Sequence, residues 1–132
     1  MIRVRFAPGV DPRVKASVRS FVAWARSEGH PWLDVRVWVG RGDELRQQYR
    51  DIDTHETDGN AVLGLFLWDD DWIYPRIRVA GGRSRYEVVG TLAHELVHFR
   101  QWLTTGRVTE RGVEVAARGM IRRWQAWRTS RG

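Results

Sequence analysis

The chain has 132 residues and no cysteine, which excludes a disulfide framework and a thiolate metal site. Its length predicts a single domain over residues 1–132, with a core large enough to fold without cross-links and a basic tail from about residue 125. The formal net charge is +6, carried almost entirely by arginine. Because no Lys/Arg run exceeds two residues, we expect a solvated basic surface, with nucleic-acid contact as the less favoured interpretation.

The hydropathy pattern excludes an obvious membrane segment. No apolar run approaches the ~20 residues that a transmembrane helix needs. The stretch from Met1 to Phe6 alternates apolar and charged residues, which is typical of a strand and not of a signal peptide. We therefore expect a monomer without a membrane partner, cytoplasmic by default.

The first half of the chain predicts a strand, a helix, a second strand and a polar loop. Asp11 is a good N-cap and the following proline suits the first turn of a helix, while Gly29 suits its end. The predicted ranges are 2–6 for the first strand, 12–29 for the helix, 33–39 for the second strand and 41–60 for the loop.

The second half predicts a hairpin followed by two helices. The two arms span 61–68 and 73–80, and Pro75 is expected to restrict the second arm to an edge or irregular position. Ser84 and Glu87 form a capping box that begins a helix ending at Gly106, and a last helix is expected from about residue 109 to 127. This order predicts an α+β fold with helices packed under a small mixed sheet.

The most specific signal is the run His94-Glu95-Leu96-Val97-His98 inside the first of these two helices. Positions four apart share a helix face, so both imidazoles can bind one metal ion, and Glu95 is then placed to act on a metal-bound water. Catalytic zinc usually has two such histidines, a third protein ligand and a position for water. The motif therefore predicts a zinc site.

The third ligand must be an acid if it follows His98, because the chain beyond that point has no His, Asp or Cys. The only acids there are Glu110 and Glu114. If the last helix begins near Thr109, the distance needed to return to His98 favours Glu114. Glu110 would lie in the first helical turn, where an acid commonly serves the helix dipole. We therefore favour His94, His98 and Glu114 as ligands and keep Glu110 as the alternative.

A His-Glu-x-x-His motif followed on the next helix by Glu114 and, three residues later, Ala117 resembles the gluzincin class of zinc metallopeptidases. The small size and element order are similar to the single-domain minigluzincins, and the resemblance covers roughly residues 61–124. It implies a zincin-like fold, zinc as cofactor, Glu95 as general base and hydrolysis of peptide bonds. The chain departs from the family at Arg118, where many gluzincins carry an Asp that orients a histidine. If Glu110 were the ligand, Glu114 would occupy that orienting position.

The predicted mechanism is hydrolysis of a peptide or unfolded protein bound as an extended strand against a sheet edge, where Asn60 and Ala61 resemble the start of a substrate-binding rim strand. Tyr74, Arg100 and Arg118 remain open as groups that stabilise the oxyanion. Two other functions are considered. One is a DNA-associated protease or binding module similar to the SprT-like proteins, which typically supply a third histidine. The other is a metal-binding interaction protein without turnover. His30 and His55 are expected to be ordinary loop residues.

Overall fold

The computed structural model describes residues 1–29, 34–45, 62–69 and 71–131. Four strands and three helices lie in this part of the chain. In chain order they are β1 (Ile2–Phe6), α1 (Pro12–Ser27), β2 (Val35–Gly40), β3 (Gly64–Leu67), β4 (Arg76–Ala80), α2 (Arg85–Thr105) and α3 (Val113–Ser130). The predicted α+β class is confirmed; the predicted loop at 41–60 lies mostly outside the described residues.

The four strands form one mixed sheet in the order β1-β2-β4-β3. β1 and β4 both pair parallel with β2, whereas β3 pairs antiparallel with β4 and forms an edge. The second hairpin arm is not at an edge, because β4 lies inside the sheet, whereas Pro75 itself lies in the irregular stretch just before the strand, the other position that the sequence analysis allowed. Pro75 precedes the first residue of the strand and contributes only its carbonyl, which accepts a bond of 3.0 Å from the Arg36 N–H. The N–H that proline lacks would belong to the residue before β4, so its absence removes no hydrogen bond donated by the strand itself.

Helix boundaries follow the capping residues that the sequence indicated. The Asp11 side chain accepts a hydrogen bond from the Arg13 N–H at the start of α1. The Ser84 hydroxyl accepts one from the Glu87 N–H at the start of α2. Gly106 ends α2 in the left-handed conformation, with φ of 71°. The α2 helix is therefore fixed at both ends, and its interior presents the His-Glu-x-x-His run.

The last helix differs from its predicted range of 109–127. It begins at Val113, after Gly112 adopts a φ of 76°, and it continues to Ser130. Residues 107–110 are neither helix nor strand, and most of the expected basic tail is helical. The reason for the late start is local: the left-handed glycine at 112 separates the preceding segment from the helix.

The sheet has one face covered by helices and one face that carries arginines. The covered face and the inner stripes of the helices form a single apolar core, as their alternating and helical spacing indicates. Its largest buried side chains include Trp24, Trp124 and Phe21, with Phe21 edge-on to Trp124 at 5.6 Å between ring centroids. None of the helices in the described part of the chain is long and apolar enough to cross a membrane.

Candidate metal centre

Helix α2 brings the two histidines of the motif together on one face. Their Nε2 atoms lie 3.1 Å apart and their ring centroids 4.8 Å apart. His98 is fully buried, whereas His94 is partly exposed at the surface of a cleft. One potential ligand atom each from His94, Glu95 and His98 lies within 4.8 Å of the other two. The helical spacing thus converts the sequence motif into a compact group of ligand atoms.

Glu110, in the segment between α2 and α3, faces both imidazoles. Its Oε1 lies 3.0 Å from His98 Nε2, and its Oε2 lies 3.3 Å from His94 Nε2. Atoms that bind one tetrahedral zinc at about 2.0–2.1 Å lie roughly 3.3 Å from one another. The Nε2–Nε2 separation is close to that value, and so is the distance from each Nε2 to a different oxygen of the Glu110 carboxylate. These three side chains therefore fit a tetrahedral metal ion.

The other ring nitrogen of each histidine contacts a separate oxygen. His94 Nδ1 lies 2.7 Å from Glu114 Oε1, and His98 Nδ1 lies 3.0 Å from Gln101 Oε1. The same Gln101 oxygen accepts a hydrogen bond of 3.2 Å from the Thr109 N–H, which identifies it as the carbonyl side of the amide. Each Nδ1 is thus placed to donate a proton, which leaves each Nε2 as the lone-pair nitrogen. Such oxygen partners commonly orient metal-binding histidines.

Glu95 is buried beside the histidines, and one of its oxygens has no hydrogen-bond partner in the part of the chain that the structure describes. The residue is only 3% exposed, and its Oε2 atom forms no hydrogen bond with any residue that the structure describes. Burial raises the pKa of this carboxyl from 4.5 to about 8, and the charge of Glu110 adds to the effect. An unpaired buried acceptor is costly, so this atom indicates a place for a proton donor or a cation.

The β3 strand closes one side of the group. A Cβ placed on Gly64 would lie 3.2 Å from Glu95 Oε1 and 2.5 Å from the Thr91 methyl group. The strand therefore approaches α2 more closely than any other residue at this position would allow. The sequence analysis did not single out Gly64; a lone glycine within an apolar strand pattern was the available signal.

A cleft of about 1070 Å³ opens in front of these residues. It runs between the edge strand, the first half of α2 and the first half of α3. Its walls include Gly64, Thr91, His94, Glu95, Glu110 and Arg118. The size is sufficient for several residues of an extended peptide or for a small organic ligand.

The positions of the two downstream acids bear on the choice of third ligand. Glu114 faces Nδ1 of His94, the nitrogen that points away from His98, whereas Glu110 faces both Nε2 atoms. The premise that favoured Glu114, a helix starting near Thr109, was wrong. Residues 107–110 are neither helix nor strand, so the path back to His98 does not follow the helical rise of about 1.5 Å per residue, and the chain returns to His98 by residue 110. The choice of Glu114 stays a prediction, and these distances favour Glu110.

The remaining candidates fall in different places. Arg118 lines the cleft, whereas Tyr74 lines a separate cavity of about 140 Å³ and Arg100 is exposed on α2. His30, His55, Asn60 and Ala61 lie outside the described residues. Gln101 was missed in the sequence analysis, although its position three residues after His98 places it on the same helix face.

Comparison with known proteins found no matching family model, no matching curated protein and no matching solved structure. A function for this chain therefore has to be argued from its own residues.

Proposed function

We propose that this protein is a zinc-dependent peptidase whose metal ligands are His94, His98 and Glu110, with Glu95 as the general base. The observation that carries the proposal is the buried carboxylate of Glu95, whose Oε2 has no hydrogen-bond partner among the described residues, next to two imidazoles whose Nε2 atoms converge. A structural histidine pair would not need a buried acid aimed at the same point. The resemblance to gluzincins stays a prediction and is consistent with this arrangement.

Zinc at this position would lower the pKa of a bound water toward ~7 and polarise a substrate carbonyl. The chain supplies the proton transfer. Glu95 is within reach of the same point as the two Nε2 atoms, so it can accept a proton from water and return it to the departing amine. Its raised pKa in the metal-free protein indicates that the pocket around the carboxyl is dry, and a nearby cation would favour the ionised form.

The histidines are oriented from outside the ligand group. Glu114 fixes the ring of His94 and Gln101 fixes the ring of His98, each through Nδ1. Gln101 also bonds to the Thr109 N–H and so ties the segment that carries Glu110 to α2. These contacts hold the ligand group in place before a metal or substrate arrives, which reduces the cost of reorganisation.

Substrate would lie as an extended peptide beside β3. This strand pairs on one side with β4, and the bond from the Ala80 N–H to the Leu63 carbonyl places residue 63 in a hydrogen-bonded pair. Because antiparallel pairs alternate, the main-chain groups of Gly64 and Phe66 point away from β4. The Leu45 N–H donates a hydrogen bond of 2.8 Å to the Val62 carbonyl, so within the described part of the chain the edge open to a peptide begins at Gly64, which lines the cleft. A peptide added there would pass the metal ligands.

The test is a cleavage assay with a mixture of unfolded proteins, read by mass spectrometry of the new termini. We expect the zinc-loaded protein to cleave and the Glu95→Gln variant to bind zinc but lose about 10²–10⁴-fold in turnover. Glu28→Gln, which changes an exposed acid far from the motif, is the matched control and should cleave normally. If Glu95→Gln cleaves as fast as the control, the proposed mechanism is wrong. Zinc binding without any cleavage would support the alternative of a metal-binding interaction protein.

A further inference from the structure

The face of the sheet opposite the helices carries a cluster of arginines on three neighbouring strands. The outward positions are Arg3 and Arg5 on β1, Arg36 and Trp38 on β2, and Arg76 and Arg78 on β4. None of these three strands contains an acidic residue. We call this group of six side chains the arginine face. It is on the other side of the sheet from the metal ligands.

The register places these residues in two rows across the strands. Arg3 pairs with Arg36 and Arg36 pairs with Arg76, so three arginines occupy directly opposite positions on adjacent strands. In the second row, Arg5 and Arg78 flank Trp38. Adjacent strands are about 4.8 Å apart, and like charges placed opposite one another destabilise a sheet. This spacing is unfavourable for the protein alone and favourable when a polyanion lies across the rows.

The charge of the first row is not neutralised within the described part of the chain. There, none of Arg3, Arg36 and Arg76 forms an ion pair with a carboxylate. Asp34, which precedes β2, is hydrogen-bonded to the Met1 ammonium group, and the charges of Arg3 and Arg36 also lower the pKa of its carboxyl, so it offsets part of the charge of the row. The row therefore presents several positive charges to solvent.

Aromatic rings hold two of the guanidinium groups in fixed positions. Arg36 lies 4.5 Å from the ring centroid of Tyr74, and Arg76 lies 4.1 Å from that of Trp72. Stacking of this kind occupies the flat side of a guanidinium and leaves its N–H edges available for phosphate oxygens. The arginines are thus oriented before any ligand binds.

Trp38 supplies a surface on which a base can stack. The residue is 38% exposed in the middle of the second row, with the Arg78 guanidinium 5.4 Å from its ring centroid. Its six-membered ring also approaches the backbone of Gly40 so closely that a Cβ there would be 2.7 Å away. On the same side of β3, Leu65 and Leu67 are buried, so the arginine face ends at β4. Exposed aromatic rings among arginines favour unpaired bases over a duplex, whose bases are already stacked.

From these observations we infer that the arginine face binds single-stranded nucleic acid, with phosphates on the first row and a base on Trp38. The inference does not depend on the proposed peptidase activity. A duplex, an anionic membrane and a polyanion bound by charge alone are the competing occupants, and each predicts a different result below.

The test measures the fluorescence anisotropy of a labelled oligothymidylate and a labelled oligouridylate as the full-length protein is added, between about 50 and 200 mM salt. The face variant Arg3→Gln/Arg5→Gln/Arg76→Gln is compared with Arg100→Gln/Arg107→Gln/Arg111→Gln. All six arginines are exposed, and each triple variant lowers the net charge by the same amount. We expect the face variant to lose about tenfold or more in affinity and about two units of the salt slope, while the control changes little.

Trp38→Leu removes the aromatic ring without changing the net charge, so it measures the contribution of stacking to affinity. It also tests the inference if the triple face variant does not fold. We expect it to weaken binding of either oligonucleotide by about tenfold with the salt slope unchanged. Equal losses in the face and control variants, or no effect of Trp38→Leu, would overturn the inference. Competition by an equal-length duplex or by phosphatidylserine vesicles as strong as that by the single strand would also overturn it, in favour of the corresponding occupant.

Discussion

Glu110 Oε1 lies 3.0 Å from His98 Nε2, although Glu110 is on neither of the two helices that flank it. The partner oxygen of the same carboxylate lies 3.3 Å from His94 Nε2. The Glu110 side chain thus contacts the Nε2 atoms of both histidines from the segment between α2 and α3. Glu114, in the first turn of α3, faces the opposite side of the His94 ring. The two acids consequently have separable roles.

These roles predict different zinc affinities for Glu110→Gln and Glu114→Gln. Loss of an orienting carboxylate typically costs about 10–100-fold in metal affinity, so we expect that range for Glu114→Gln. Glu110→Gln should cost more, because it removes a ligand. Zinc affinity is measured by competition with a coloured chelator. The reverse order would restore Glu114 as the third ligand, as the sequence analysis favoured.

Gln101 should contribute to zinc binding without touching the metal. Gln101→Leu removes the oxygen that accepts from His98 Nδ1 and from the Thr109 N–H, so both the ring and the Glu110 segment lose a support. We expect zinc affinity to fall by about 10–100-fold. Gln125→Leu, an exposed position on α3, is the control. Unchanged affinity in Gln101→Leu would show that the orienting contact is unimportant.

The pKa of Glu95 predicts how the stability of the metal-free protein depends on pH. Because this pKa rises from 4.5 to about 8 on folding, the folded state holds more protons between these values. Its contribution to the free energy of unfolding therefore decreases as pH rises from about 4.5 to about 8. Glu95→Gln abolishes this dependence, and the variant should gain as much as about 4 kcal/mol over the wild type across the window.

The measurement is urea unfolding of both proteins in the presence of a chelator at several pH values. Groups that titrate in both proteins cancel in the difference between their free energies of unfolding. A difference that stays constant with pH would mean that the carboxyl of Glu95 is not desolvated in the folded protein.

Gly64 should tolerate no side chain, because a Cβ would collide with Thr91 and approach Glu95. We expect Gly64→Ala to reduce the free energy of unfolding by about 1–3 kcal/mol. Gly90→Ala is the control: it lies within α2, has no atom within 4 Å of the added Cβ, and should stabilise by about 0.5–1 kcal/mol. Similar changes for the two variants in thermal or urea unfolding would refute the close approach of β3 to α2.

The sequence predicted those parts of the molecule that short-range patterns control. β1 has its predicted bounds, α1 begins at the predicted Pro12, and α2 lies between Ser84 and Gly106, because alternation and capping residues act over a few positions. The convergence of His94 and His98 follows from helical spacing alone.

What the sequence did not predict depends on the path between elements or on contacts across them. The segment before α3 is neither helix nor strand, so the return of Glu110 to His98 could not be derived from a helical rise. The position of β4 inside the sheet depends on its pairing with β2, which is distant in the chain. The rows of the arginine face require the register of three strands, which alternation within each strand cannot supply.

The most direct test of the account is a crystal structure of the zinc-soaked protein with anomalous data collected on either side of the zinc absorption edge. We predict one strong anomalous peak per chain, about 2.0–2.1 Å from Nε2 of His94 and His98 and about 2.0–2.2 Å from a carboxylate oxygen of Glu110. An absent peak, or a peak that contacts neither Nε2 atom, would contradict the proposed metal centre.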